Sequence, residues 1–290
     1  MAAPTITLRG QPATSGPGET EPIDATPQDP LDPLDPLDPL DPLGLDPEFR
    51  RRVIPAVRFL HDRYWRVEVS GIHHVPTSGP ALLVSNHSGA IPFDGAMICT
   101  AIELKAERTT RFLYDRFVDK IAPVASFYRK VGGAVASREN AVRLLQMGEL
   151  LLVFPEGVSG VAKSFGDRYR LRPFSPGFVR LALSLDVPIV PVAVVGAEEI
   201  YPLVGRAEGV GRLFGMPYVP VTPFFPLLGV LGTVPLPTKW FMHFGRPIRL
   251  VPAEGEARWL RARHEAMRVR RLIQSMVARL KRRRQSVFFG

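Results

Sequence analysis

The sequence predicts an α/β protein: a layered domain around a largely buried sheet, preceded by a tail of different character. Three observations carry this. Short apolar runs (Ala81–Val84, Leu150–Phe154, Ile189–Val195) recur between segments of helical periodicity, the pattern of strands covered by helices. The 290 residues are 46% hydrophobic and 22% charged, ordinary for a globular chain and ample for a core. The net charge of +9 is unevenly spread: residues 1–48 hold ten acidic residues and one basic, a net of −9, and residues 49–290 hold 36 basic and 18 acidic, a net of +18.

Residues 1–48 are expected to form a disordered, acidic, proline-rich tail. Asp-Pro-Leu occurs five times in succession from Asp29 to Leu43. A proline at every third position removes a backbone donor and turns the preceding aspartate away from helix. Such a tract suits an extended, semi-rigid segment, with leucines too sparse to bury themselves. It is read as an extension or a cover for the basic body, with no catalytic role.

The body is expected over residues 49–253. Phe49–Tyr64 reads as a basic amphipathic helix, with Val53, Val57, Leu60 and Tyr64 on one face and Pro55 limiting its regularity. Strands follow at Val67–Ile72 and Ala81–Val84, then a helix from Asp94 to about Glu103, a strand at Thr110–Leu113 and a helix over Phe117–Lys130. A strand at Ala134–Val135, a helix at Glu139–Gln146 and the run Leu150–Phe154 come next, then a helix at Gly177–Leu185 and strands at Ile189–Val195 and Trp240–Phe244. Met216–Pro237 stands apart: closely spaced prolines, several aromatics and no charged residue. It reads either as a buried irregular loop under the core or as a membrane-contacting or acyl-chain-lining surface. Residues 254–290 are expected to form a basic amphipathic helix. Leu260, Met267, Ile273, Met276, Val277 and Leu280 lie on its apolar face, amid eleven arginines and lysines between Ala257 and Arg284.

Composition narrows the function. One cysteine excludes a disulfide framework and a cysteine-rich zinc site, and the six histidines show no metal-ligand spacing. No metal or cofactor is expected. There is no apolar run of about 18 residues and no basic-then-apolar leader, so the expectation is a cytoplasmic protein without a spanning helix. A body charged +18 seeks nucleic acid, anionic lipid or acidic small molecules. No base-reading module accompanies the charge, so nucleic acid is not expected as a partner.

Four features with chemical potential follow in order. Ser85-Asn86-His87 stands directly after a strand, with Asp94 seven residues beyond His87. A carboxylate that fixes a histidine's tautomer makes it a general base; alone, Asp94 reads equally well as a helix cap. Gly132-Gly133-Ala134-Val135-Ala136-Ser137-Arg138 offers close backbone approach and a guanidinium suited to a phosphate. Phe154-Pro155-Glu156-Gly157 ends an apolar strand, and Lys163, Arg168, Arg170 and Arg172 in the following loop suit an anion. Val187-Pro188-Ile189-Val190-Pro191-Val192 reads as a core strand walling the site.

In this order the motifs resemble the glycerol-3-phosphate and lysophosphatidate acyltransferase superfamily, over roughly Trp65 to Leu250. Phe154-Pro155-Glu156-Gly157 is the most specific; Gly71-Ile72-His73-His74-Val75-Pro76 and Gly245-Arg246-Pro247-Ile248 look like the opening and closing elements. The resemblance implies a single acyltransferase domain, a mixed sheet flanked by helices, working at a membrane surface. It implies His87 as the catalytic histidine, Asp94 as its partner, and Arg138, Glu156 and Gly157 at acceptor-binding positions; backbone amides near Gly133 or Gly157, or Arg138, are the candidates to bind substrate at the oxyanion. It implies an acyl-coenzyme A or acyl carrier protein thioester as donor and a glycerolipid hydroxyl as acceptor, with an anionic membrane surface as partner. The chain departs from the pattern twice. Six residues rather than four separate His87 from Asp94, and Val158-Ser159-Gly160 stands where the family often has Thr-Arg-Ser. The missing arginine raises neutral mono- or diacylglycerol beside lysophospholipid as acceptor; a non-catalytic lipid-binding protein on the same fold is the further alternative.

Overall fold

The computed structural model describes residues 41, 43–87, 93–161, 163–213, 219–251 and 258–290. The first four Asp-Pro-Leu copies, and with them most of the tail, lie outside these residues. The strands are β1 (Glu68–Ser70), β2 (Ala81–Ser85), β3 (Thr110–Tyr114), β4 (Gly133–Val135), β5 (Leu150–Val153), β6 (Ile189–Val195), β7 (Gly205–Ala207), β8 (Val219–Val221) and β9 (Phe241–Phe244). The helices are α1 (Pro47–Phe59), α2 (Phe93–Ala106), α3 (Ala122–Lys130), α4 (Arg138–Gln146), α5 (Val158–Val161), α6 (Gly177–Leu185), α7 (Glu208–Leu213) and α8 (Arg258–Arg283). Seven strands form one sheet in the order β1-β9-β6-β2-β5-β3-β4, and β7 pairs with β8 alone. Neighbours from β6 to β4 are parallel; β9 runs antiparallel to β6, and β1 parallel to β9. The sheet is mixed and helix-flanked, as the sequence predicts.

Every residue of β2, β5 and β6 is buried, which explains their continuous apolar sequences. Alternation sorts their side chains between two cores. Leu82, Val84, Leu151 and Ala193 meet Leu144, Val179, Ile273 and Val277 from α4, α6 and α8. Leu83, Leu152, Val190 and Val192 meet Met97, Ile98 and Ile102 of α2, with Trp65 and Trp240. Each such leucine contributes about 1.5–3 kcal/mol by leaving water.

The connections locate the crevice. After β2 the chain crosses through α2 to β3, beyond β5; after β5 it crosses through α6 to β6, beyond β2. The loops leaving these two adjacent parallel strands therefore diverge, the switch point at which open α/β sheets bind ligands. One loop carries His87, the other Glu156.

Several elements differ from expectation. The apolar face of α8 packs on the sheet: Ala262, Ala266, Val269, Ile273, Met276, Val277 and Leu280 are buried in the core, and its exposed surface is polar apart from Trp259, Leu260 and Met267. The predicted first helix begins two residues early, where Asp46 Oδ1 accepts the Phe49 N–H (2.8 Å) and Pro47 fills the first position. It gives way at Leu60 to a π-helical turn, and Val53, Val57 and Leu60 face an internal cavity. The helix expected over Phe117–Lys130 is a 3₁₀ turn (Arg116–Lys120) and then α3, because Pro123 supports a helix start but not its interior. The β7–β8 hairpin and α7, within an insertion between β6 and β9, have no counterpart in the sequence reading.

Asp41 and Leu43, from the fifth Asp-Pro-Leu copy, belong to the folded body. Asp41 Oδ2 pairs with Arg111 Nη1 at 2.7 Å, both side chains being nearly inaccessible. The same carboxylate accepts the N–H groups of Leu43 and Leu45 (both 2.9 Å). Removing one member of a buried pair strands the other charge, at about 3–5 kcal/mol. Asp41→Ala is therefore expected to lower unfolding free energy by that amount in denaturant titrations. Glu48→Ala, which breaks the exposed pair with Arg52, is expected to cost below about 1 kcal/mol.

Candidate active site

Asn86 sets where β2 ends. Its buried amide donates to Val194 O (3.0 Å) and accepts from Val194 N (2.9 Å), prolonging the β2–β6 ladder through a side chain. The chain then turns away and His87 emerges beyond the sheet. Its Nδ1 lies 2.8 Å from Asp94 Oδ2 on the first turn of α2. An ionised carboxylate accepts only, so Nδ1 donates and Nε2 is left as the basic nitrogen. Asp94 has no solvent exposure, and its Oδ1 also accepts the Gly95 N–H (2.9 Å). The imidazole stacks on Phe154 with centroids 4.1 Å apart and planes 19° apart. Residues 88–92, which carry the longer His-to-Asp spacing, lie outside the described residues.

The structure corrects the reading of Glu156. Both carboxylate oxygens are taken up internally: Oε1 accepts the His87 N–H (3.0 Å), and Oε2 accepts the Arg172 N–H (2.7 Å) and lies 3.3 Å from Lys163 Nζ. With no side-chain exposure, Glu156 is not placed to hold an acceptor. It ties the β2 loop to the β5 loop. Lys163 also donates to Glu198 Oε1 (3.0 Å), whose other oxygen accepts the Tyr169 N–H. Burial raises the Glu198 carboxyl to about 7 although Lys163 pulls it down.

The basic loop is likewise largely spent on internal partners. Lys163 is buried, Arg172 pairs with Asp167 (3.1 Å), and Arg168 lies over Phe165 and near Glu199. Gly157 adopts a left-handed conformation (φ +55°) at the mouth of the cavity, and its N–H is engaged by Phe154 O. Gly133 is correctly a close-approach glycine, but for packing: an added Cβ would lie 2.8 Å from the Phe112 ring and 2.9 Å from Tyr128 O. Arg138 is exposed at the start of α4 and does not line the cavity. Gly160, not singled out in sequence as a functional position, packs under the site; a Cβ there would approach those of His87 and Glu156 within 2.9 Å.

From His87 a cavity of about 640 Å³ extends between α1, α2 and α3, within the usual range of ligand sites. Its walls are mainly apolar, including Val53, Val57, Phe93, Met97, Phe112, Val124 and Tyr128. A part-buried pair, Arg50 with Glu103 (2.6 Å), also lines it. Cys99 is on the wall, and burial pushes its thiol up to about 12, so it stays protonated and is a poor nucleophile. No residue of the described part of Met216–Pro237 lines this cavity, and much of that segment is exposed rather than under the core. Among the described residues no group of three or more His, Cys, Asp or Glu is placed to hold a metal ion.

A family model described as Acyltransferase matches residues 66–195, the stretch from the start of β1 to the end of β6 that holds both motif loops. The chain is 46% identical to an uncharacterised protein of Mycobacterium leprae over 85% of its own length and 69% of that protein's. The chain belongs to the acyltransferase family. This acyltransferase is also 32% identical to a Bos taurus protein named "DGAT1/2-independent enzyme synthesizing storage lipids", covering 70% of this chain and 58% of that protein. Its fold is similar to that of the 1-acyl-sn-glycerophosphate acyltransferase of Thermotoga maritima, with a TM-score of 0.52, 20% identity, and coverage of 81% of this chain and 82% of that one.

Lys163 is the sole lysine or arginine side chain bonded to the carboxylate of Glu156 among the described residues. Lys163→Met is expected to lower the unfolding free energy by about 3–5 kcal/mol, since two buried carboxylates lose their shared cation. Arg170→Met, at an 82% exposed side chain, is expected to change it by less than about 0.5 kcal/mol.

Proposed function

We propose that this acyltransferase moves a fatty acyl group from a coenzyme A or carrier-protein thioester to a hydroxyl of a glycerolipid at a membrane surface, with His87 as general base. The observation that carries the proposal is the His87–Asp94 pair, 2.8 Å apart, opening onto an apolar cavity. His87 Nε2 takes the proton of the acceptor hydroxyl as its oxygen attacks the thioester carbonyl. The C–O bond forms, the C–S bond breaks, and the proton passes to the leaving thiolate. Asp94 holds the ring and balances the imidazolium that forms in between. Positioning two reactants supplies up to about 7–11 kcal/mol in favourable cases, and the general base a further factor of about 10²–10⁴.

The cavity suits the acyl chain. From Asp94 to Glu103, α2 rises roughly 14 Å at about 1.5 Å per residue, and the wall between is apolar apart from Thr100 and Cys99. The Arg50–Glu103 pair sets a polar limit at the far end, where a methyl terminus gains nothing by pushing further.

A neutral mono- or diacylglycerol acceptor has specific support. Lys163, Arg168 and Arg172 are engaged with the protein's own acids, and no arginine occupies positions 158–160. A phosphorylated lysolipid would rely on Arg138 or Arg170, the sequence candidates that stay exposed.

The test is transfer of labelled acyl groups to lysophosphatidate, lysophospholipid, monoacylglycerol and diacylglycerol. His87→Ala and Asp94→Asn are expected to lower kcat by about 10²–10⁴ in protein that circular dichroism shows to be folded; full activity of His87→Ala ends this mechanism. Thr100→Phe narrows the cavity midway along α2 and is expected to reduce the preference for long over short acyl donors about tenfold. An unchanged chain-length profile would place the acyl chain elsewhere.

A further inference from the structure

The chain between β6 and β9 is built on the sheet edge that carries the site. β6 runs parallel to β2, with Val192 opposite Ser85, and β9 returns antiparallel with Phe241 opposite Val195. The described residues between Gly196 and Trp240 therefore lie at the end of the sheet from which His87 emerges. Within them, Phe224, Leu227, Leu228, Leu231 and Val234 are exposed, Leu227 at 81% and Leu231 at 75%. No charged residue occurs between Met216 and Pro237. Exposed apolar side chains concentrated in one uncharged segment mark an interaction surface.

The segment is shaped for entry into a poorly hydrated medium. Phe224 and Phe225 N–H groups donate to Thr222 Oγ1 (3.2 and 2.9 Å), Thr222 N–H to Phe225 O (2.8 Å), Leu228 N–H to Phe224 O (2.7 Å) and Val234 N–H to Leu231 O (3.2 Å). Internal pairing of these backbone groups lowers the cost of leaving water. Its base is fixed to the body: Tyr201 Oη donates to Thr233 O (2.6 Å), Tyr64 Oη to Pro235 O (2.6 Å) and Trp65 Nε1 to Leu236 O (3.0 Å). Beside that base Arg66 donates to the carbonyls of Tyr64, Pro237 and Phe288, with no carboxylate partner among the described residues. It leaves a half-buried cation beside the base of the apolar insertion, on a body charged +18.

We infer that this insertion is the bilayer-docking element: its leucine tip enters the headgroup–acyl boundary of an anionic membrane, and Arg66 meets the lipid headgroups. The apolar faces of α1 and α8 are turned mainly toward the cavity and the core. Docking by the insertion brings the edge bearing His87 to the membrane, so a lipid acceptor reaches the site without crossing bulk water. The inference rests on the lipid-acyltransferase reading for its purpose, but vesicle binding is measured without turnover, so either can fail alone.

The experiment is co-sedimentation of the full chain with phosphatidylcholine vesicles, with and without phosphatidylglycerol, in parallel with size-exclusion chromatography. Leu227→Glu with Leu231→Glu is expected to weaken binding to both vesicle types on the order of tenfold or more and to leave the thermal midpoint unchanged. Arg66→Gln is expected to remove part of the gain from phosphatidylglycerol only. Undiminished vesicle binding by the double variant overturns the inference. So does a wild-type dimer that the double variant converts to monomer, which would make the tip an interface between copies of this chain.

Discussion

The buried carboxylate of Glu156 is the joint on which the site depends. The sheet brings the ends of β2 and β5 side by side but leaves their outgoing loops free to diverge. Glu156 prevents that by accepting the backbone N–H of His87 on one oxygen and that of Arg172 on the other. An ionised group so far from water is costly alone. Lys163, itself buried and shared with Glu198, supplies the counter-charge. Breaking such a cluster by removing one member is far more damaging than its net contribution suggests. The Phe-Pro-Glu-Gly turn thus has a mechanical role: it ties down the loop from which the histidine emerges.

From that joint the rest follows in layers. Asn86 ends the strand by imitating it, Gly160 lets the loop pass close beneath His87, and Phe154 stacks on the imidazole. Asp94 then needs only to stand at the first turn of α2 to meet Nδ1. The opposite wall comes from α1, whose start is held by Asp41 on Arg111 and capped by Asp46. Polar groups position His87, and most of the cavity beyond it is apolar, which fits the acyl chain of the proposed substrate.

The layered fold was legible because β2, β5 and β6 are buried on both faces and read as unbroken apolar runs. His87 and Asp94 were legible through motif order, and they do meet. The destination of a carboxylate was not. Glu156 and an acceptor-binding glutamate look the same in sequence, since the difference lies in which backbone N–H groups converge on them. The apolar face of α8 was equally ambiguous, because helical periodicity is identical whether the face meets a bilayer or a sheet. The cavity was invisible for a related reason: its walls are the valines, methionines and phenylalanines of any core, and only the spacing of three helices decides that they stand apart.

Cys99 gives that cavity a practical property. It is the only cysteine in the chain and lies on the cavity wall, protonated and away from Asp94 by more than one helical turn. A protein with a single thiol in its binding chamber carries its own spectroscopic and chemical tag. Any molecule that enters changes the environment and accessibility of that sulfur, so occupancy is observable in the unmodified chain, apart from catalysis.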